Sequence, residues 1–180
     1  DLKPSLSYIN FYFQGEPFIH KSFFQLVNLA HKNGIYSASS TNAHFLSREN
    51  SIKTIESGLD KLIISLDGIT QDVYQSYRVN GELSKVIAGA KTLLEERNTR
   101  KSKTPFIVFQ FLVVKPNEHQ ISEAKMLAKE IGVDAITFKT AQIYDYQNGS
   151  PLIPENEKYS RYKQLEDGTY AIKNQLDNQC

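Results

Sequence analysis

Five short apolar or β-branched runs, each followed by a polar turn and then by a stretch of helical period, constrain the fold of this chain most. Residues 8–13 (YINFYF), 35–40 (IYSASS), 61–66 (KLIISL), 106–114 (FIVFQFLVV) and 135–139 (AITFK) read as strands. The third and fourth are almost continuously apolar, the pattern of strands covered on both faces in a parallel sheet. Between the runs, Phe23, Leu26, Val27 and Ala30 recur at helical spacing, with Gly34 as a stop. Residues 51–57 read as a short helix closed by Gly58, and Val86, Ile87, Ala90, Leu93 and Leu94 form a further apolar stripe. Asn117 with Gln120 reads as a capping-box start for the helix carrying Ile121, Ala124, Ala128 and Ile131, which Gly132 ends.

Strand–helix alternation of this kind requires a parallel sheet, because parallel neighbours need a crossover between them. Most repeats run roughly 26 to 29 residues, close to the ~31 per unit of a complete eight-fold barrel. The predicted fold is therefore α/β: a partial, TIM-like barrel of about five parallel strands. The third unit is longer because residues 70–77 add a short helix, and the basic stretch 97–103 reads as a solvated loop. After Thr140 the chain turns polar and Tyr-rich. We expect a barrel portion over 1–142 and a wrapping tail over 143–180, with residues 168–172 forming a short strand.

Composition narrows the class. The 180 residues are 40% hydrophobic and 23% charged, with a formal net charge of +1. That is ordinary for one soluble domain, and nothing in the charge favours nucleic acid or an anionic membrane as partner. No apolar run approaches the length of a membrane span. The single cysteine, Cys180, excludes an internal disulfide, and a cytoplasmic location is expected.

In parallel α/β sheets, ligands bind beyond the carboxyl ends of the strands. Those ends carry Gly15-Glu16-Pro17, Thr41-Asn42, Ser65 with Asp67-Gly68, Lys115-Pro116-Asn117, and Lys139-Thr140. Each segment alone is an ordinary turn; the series forms a polar rim. No two of the four histidines have metal-ligand spacing.

The ordered series resembles the radical S-adenosylmethionine (radical SAM) superfamily. Gly15-Glu16-Pro17 is similar to that family's GGEP motif, with Gln14 in place of its first glycine. Ser40-Thr41-Asn42-Ala43 is similar to its T-N-G turn, with Ala43 in place of the glycine. Ile64-Ser65-Leu66-Asp67-Gly68, followed by Arg78-Val79-Asn80-Gly81, resembles the I-S-x-D-G … R-x-x-G pattern of the subgroup with a SPASM-like auxiliary-cluster domain.

The resemblance covers about residues 8–140 and implies strands two to six of a six-stranded (β/α)6 barrel. It further implies S-adenosylmethionine on a [4Fe–4S] cluster, reductive cleavage to a 5′-deoxyadenosyl radical, an external reductant, and a peptide or protein substrate. Carried onto this chain, it assigns the ligand's ammonium to the Gly15-Glu16-Pro17 backbone and carboxylate, and its carboxylate to the Arg78 fork. Ser65 would contact carboxylate or ribose, Asn42 belongs to the rim, and the adenine would lie near Thr140 and Ala141.

The family's C-x-x-x-C-x-x-C loop has no counterpart here, since the lone cysteine is Cys180, where the first ligand of an auxiliary cluster would fall. We therefore expect a fragment of a larger enzyme, inactive by itself, with cluster ligands upstream and an aromatic edge strand that invites dimerisation. Asp67 is expected to cap the turn or helix that follows it. Two alternatives are a Schiff-base, aldolase-like barrel enzyme using Lys139 with Glu16 or Asp67, and a non-catalytic binding module.

Overall fold

The computed structural model describes residues 5–174, so the expectation for Cys180 lies outside the described residues. Five strands, β1 (Tyr8–Asn10), β2 (Tyr36–Thr41), β3 (Lys61–Ser65), β4 (Phe106–Val113) and β5 (Ala135–Thr140), form one parallel sheet in chain order. The crossovers carry α1 (Phe23–Lys32), α2 (Arg48–Glu56), α3 (Gln71–Tyr77), α4 (Leu83–Thr99) and α5 (Ile121–Ile131). This is the predicted α/β class, with all five strands at the expected places. Because every pairing is parallel, the carboxyl ends of neighbouring strands lie at one edge: Thr41 pairs with Ile64, and Ser65 with Gln110.

Alternation along the strands divides the residues between two faces. Leu62, Ile64, Ile107 and Phe109 pack with Val27, Val86, Ala90 and Leu93 of the helices in one buried cluster. Ser65, Gln110 and Thr137 form a row across the opposite face, on which Ser40 and Lys139 also lie. The expectation of two covered faces holds over the middle of this face, where Ala38, Ile63 and Val108 are buried, and lapses toward its margins. Ser40 and Gln110 are only half-buried, and Thr137 and Lys139 are exposed. The apolar runs are continuous because β3 and β4 are central strands, buried on both faces over most of their length. The edge strand β1 stacks Tyr8 on Tyr36 of β2, with ring centroids 5.6 Å apart.

Helix ends follow local chemistry where it is strong. α2 begins three residues before the expected start, because the Ser47 hydroxyl accepts the Asn50 amide at 3.2 Å and caps the helix there. α5 stops where Gly132 turns left-handed (φ 86°) and returns its amide to the Ala128 carbonyl.

The predicted solvated loop at 97–103 is corrected as well. α4 runs on to Thr99, and Arg97 is engaged by Asp134, by the Pro105 carbonyl at 2.9 Å and by a second contact to Asp134 at 3.1 Å. Asp134 also accepts the Ile107 amide at 2.7 Å, so this pair ties α4 to the starts of β4 and β5. Burial pushes the Asp134 carboxyl up, but the hydrogen bonds from Arg97 and the Ile107 amide outweigh it and hold the group below its ordinary value. A carboxyl with a depressed folded pKa adds stability above its unfolded pKa, and loses it as pH falls through the folded value. Arg97→Ala should therefore remove part of the stability lost below about pH 4. The check is the urea midpoint of both proteins followed from pH 6 to pH 3; parallel curves would refute it.

The tail folds back on the β4–α5 connection. The Glu118 carboxylate accepts the amides of Glu155 and Asn156, Lys115 pairs with Glu155 at 2.7 Å, and Tyr159 packs against Phe138. The expected strand at 168–172 is β7 (Tyr170–Ile172). It pairs antiparallel with β6 (Tyr162–Gln164), whose three residues carry too little pattern to be read from sequence.

Candidate functional site

The turns after β1, β2 and β3 meet around a hollow of about 230 Å³. Gly15, Glu16, Asn42, Ser65 and Arg78, all named from the sequence, line it together, with Ser40 from the polar face. Pro17 does not; it starts the 3-10 turn Pro17–Ile19 and lines a neighbouring groove. Thr140 is exposed at the end of β5 and does not line the hollow.

Glu16 does something other than wait for a ligand. One carboxylate oxygen accepts the Thr41 hydroxyl at 2.9 Å and the Phe18 amide at 3.2 Å, and the other accepts the Asn42 amide at 2.7 Å. That takes three of the roughly four acceptor positions of a carboxylate. The carboxylate thereby clasps the β1 turn to the β2 turn and keeps one acceptor position. The Thr41 hydroxyl in turn accepts the Ala43 amide at 3.0 Å. Ala43 has φ 64°, left-handed backbone that favours glycine, at the position where the resembling motif has glycine. His44 is drawn into the same bracket. Its Nε2 accepts the Glu82 amide at 3.0 Å, so its Nδ1 donates to the Asn42 carbonyl at 2.9 Å.

The D-G … R-x-x-G motif resolves into a mechanical unit. Asp67 does not cap α3; its carboxylate accepts the Leu112 amide at 2.8 Å and the Arg78 Nε–H at 2.6 Å. The two glycines make room for Tyr74, which is fully buried between them. A Cβ on Gly68 would lie 2.5 Å from the Tyr74 nitrogen, and one on Gly81 2.6 Å from the Tyr74 ring. Gln71 completes the fastening, donating to the Gly81 carbonyl at 2.8 Å and accepting the Leu83 amide at 2.9 Å. Burial opposes the charge on Arg78, and Asp67 more than offsets this, so the guanidinium is held firmly cationic. Burial raises the Tyr77 hydroxyl, whose ring lies 5.8 Å from the Arg78 guanidinium carbon.

Two supporting residues were misread from sequence. Asn117 and Gln120 do not form a capping box. Asn117 is fully buried, accepting the Val114 amide and donating to the carbonyls of Asp67 and Leu112, each near 2.9 Å. Gln120 accepts the Ile69 amide at 2.8 Å and donates to Thr70 at 3.0 Å. Both fasten the turn after β3 to the turn after β4. The only available signal was their polarity beside apolar neighbours, and a helix cap explains that equally well.

What the hollow lacks in protein partners is informative. Asp67 takes only the Nε edge of Arg78, and the outer guanidinium nitrogens make no hydrogen bond among the described residues. The Ser65 hydroxyl also makes none, although Ser65 is buried. A cationic fork beside a free hydroxyl and the Gly15 backbone suits a carboxylate-bearing ligand. The volume is below the roughly 300 Å³ of a complete small-molecule site and fits one end of a longer ligand. An iron–sulfur cluster does not fit the described residues. They contain no cysteine and no group of three or more His, Cys, Asp or Glu side chains able to hold a metal. Lys139 is exposed on β5 and does not sit in the closed pocket that the Schiff-base alternative requires. No helix among the described residues is long and apolar enough to cross a membrane.

No family model matches the chain. The tungsten-containing aldehyde ferredoxin oxidoreductase cofactor-modifying protein of Pyrococcus furiosus is 29% identical over 159 residues, covering 84% of this chain and 40% of that protein. PqqA peptide cyclase of Gluconobacter oxydans is 26% identical over 160 residues, 88% of this chain and 41% of that protein. Among solved structures, Streptococcus suis SuiB bound to S-adenosylmethionine superimposes with a TM-score of 0.62 at 16% identity, over 77% of this chain and 30% of SuiB. The chain spans between 33% and 41% of the length of three curated relatives it matches. Sequence relatives and shared fold together bear out the resemblance to the radical SAM superfamily, and the five parallel strands belong to an α/β fold that this chain shares with SuiB.

Proposed function

We propose that the hollow is the amino-acid end of an S-adenosylmethionine site, in a radical SAM enzyme that modifies a peptide or protein. The observation that carries this reading is the Arg78 guanidinium, held by Asp67 along one edge and open along the other, beside the unpartnered Ser65 hydroxyl. Arg78 receives the methionine carboxylate. The backbone of Gly15-Glu16-Pro17 lies by the ammonium, with Glu16 shaping that turn rather than supplying its main acceptor. Asn42 and Ser65 complete the wall, and Thr140 with Ala141 is kept as the adenine end. SuiB bound to S-adenosylmethionine supports the ligand class, and the peptide cyclase and the SuiB complex with its precursor peptide SuiA support the substrate class.

In this reading a [4Fe–4S] cluster would be held by cysteines outside residues 5–174 and, with an external reductant, would supply the redox chemistry. The 180 residues by themselves are then inactive, and a SPASM-like auxiliary domain accompanies the barrel. Self-association along the β1 edge belongs to the same reading, and a strictly monomeric species in light scattering would remove it.

The open reading frame around residue 1 tests the enzyme. A three-cysteine loop one βα unit upstream, about 30 to 40 residues before Gly15, is expected, and a frame opening at Asp1 would sink it. For the site, Arg78→Ala should weaken S-adenosylmethionine binding by about 10- to 100-fold, the worth of a charged hydrogen-bonded pair. Titration calorimetry on the cluster-loaded protein measures this, and an unchanged affinity would remove Arg78 from the site.

A further inference from the structure

We infer that Asp67 is a positioning residue for carboxylate recognition: it aims the Arg78 guanidinium by holding its Nε edge, and the ligand uses the outer edge. This rests on the reading of the hollow given above. A guanidinium on a free side chain samples many rotamers. Here the chain is fixed at its middle. The Arg78 Nε–H donates to Asp67 at 2.6 Å, and the Tyr77 ring lies beside the guanidinium.

Asp67 is itself immobile. Its side chain is 2% exposed against 36% for Arg78. Its second oxygen accepts the Leu112 amide, and its carbonyl accepts the Asn117 side chain. The anchor therefore belongs to the sheet, through β4, and not to the loop that carries Arg78. Tyr74, seated between Gly68 and Gly81, keeps α3 at a fixed distance from that anchor.

Charge and position make opposite forecasts at this residue, so they can be separated. Asp67 is negative beside a site proposed to bind a carboxylate. If it acted only through charge, neutralising it would strengthen the binding of an anion. If it aims Arg78, neutralising it weakens that binding. Asp67→Asn is the apt change. Its one oxygen can still accept the fixed Leu112 amide, which turns the –NH2 group toward the Arg78 Nε–H, donor against donor, and releases the guanidinium.

The experiment compares S-adenosylmethionine with its decarboxylated analogue, measuring both dissociation constants by ligand-observed NMR in the native chain, Asp67→Asn, Arg78→Ala and the double variant. The native chain should prefer the carboxylated ligand by ~10-fold or more. Asp67→Asn and Arg78→Ala should each erase the preference, with nothing further lost in the double variant, while affinity for the analogue stays level. A preference that survives or grows in Asp67→Asn, but vanishes in Arg78→Ala, overturns the role of Asp67 and leaves the site reading intact. No preference in the native chain, including no binding of either ligand, overturns the site reading and this inference with it. If Asp67→Asn does not fold, Arg78→Lys decides. It keeps the charge, but its single ammonium is taken by Asp67, so the preference should be lost, and its retention would overturn the inference.

Discussion

Replacing Asp67 with alanine should lower the unfolding free energy by about 1–3 kcal/mol, the range for leaving a buried donor unsatisfied. The carboxylate satisfies two donors from different elements, the Leu112 amide of β4 and Arg78 beyond α3. Alanine satisfies neither. The Leu112 amide is the dearer loss, because it is fixed in the sheet, whereas Arg78 is partly exposed and can turn toward water. Urea denaturation of the two proteins, with slopes compared so that a change in the unfolded state is recognised, measures the effect. A loss under about 1 kcal/mol would mean that the pair behaves as a surface bridge.

Gly68→Val should cost about 3 kcal/mol, at the upper end of what overpacking imposes. The contact is with backbone: a Cβ would lie 2.5 Å from the Tyr74 nitrogen and 2.7 Å from its Cα. No side chain there can swing aside, so α3 must move as a body. Moving α3 carries Tyr74, Tyr77 and Arg78 with it, and the Nε contact to Asp67 is broken as a consequence. Two readings should therefore fall together. The thermal midpoint drops by roughly 6–12 °C for a domain of this size, and whatever preference the hollow has for a carboxylate disappears. A variant with a native midpoint would show that the Asp67-Gly68 turn yields, and that Tyr74 is less firmly seated than its burial implies.

The order and places of the five strands were legible because they depend on runs of neighbouring residues, and so was the gathering of Gly15, Glu16, Asn42, Ser65 and Arg78 at one edge. What escaped was the partner of each polar side chain. Glu16 reads as a ligand group until Asn42, 26 residues on, is seen to occupy it. Arg97 reads as solvated until Asp134, 37 residues on, is found against it. Asn117 and Gln120 have the spacing of a cap, yet their partners lie some 50 residues back, at Asp67 and Thr70. Local propensity favours a local hydrogen bond for such residues. Only the assembled sheet brings the distant partner nearer. The second face of the sheet was legible in its middle, where Ile63 and Val108 are buried, and not at its margin, where Thr137 and Lys139 are exposed.

The collinear order of the sheet carries a further consequence. Each strand joins only the strands before and after it in the chain. The segment that must close for a new pairing is thus a single crossover, of one α-helix or two with their turns, however many strands precede it. Because closure entropy depends on that segment and not on total length, the ordering penalty per added strand stays level along the sheet. An architecture wound this way grows like a ribbon laid edge to edge: another unit can join either margin without rethreading what is already folded, and the interior pairings are indifferent to where the ribbon is cut.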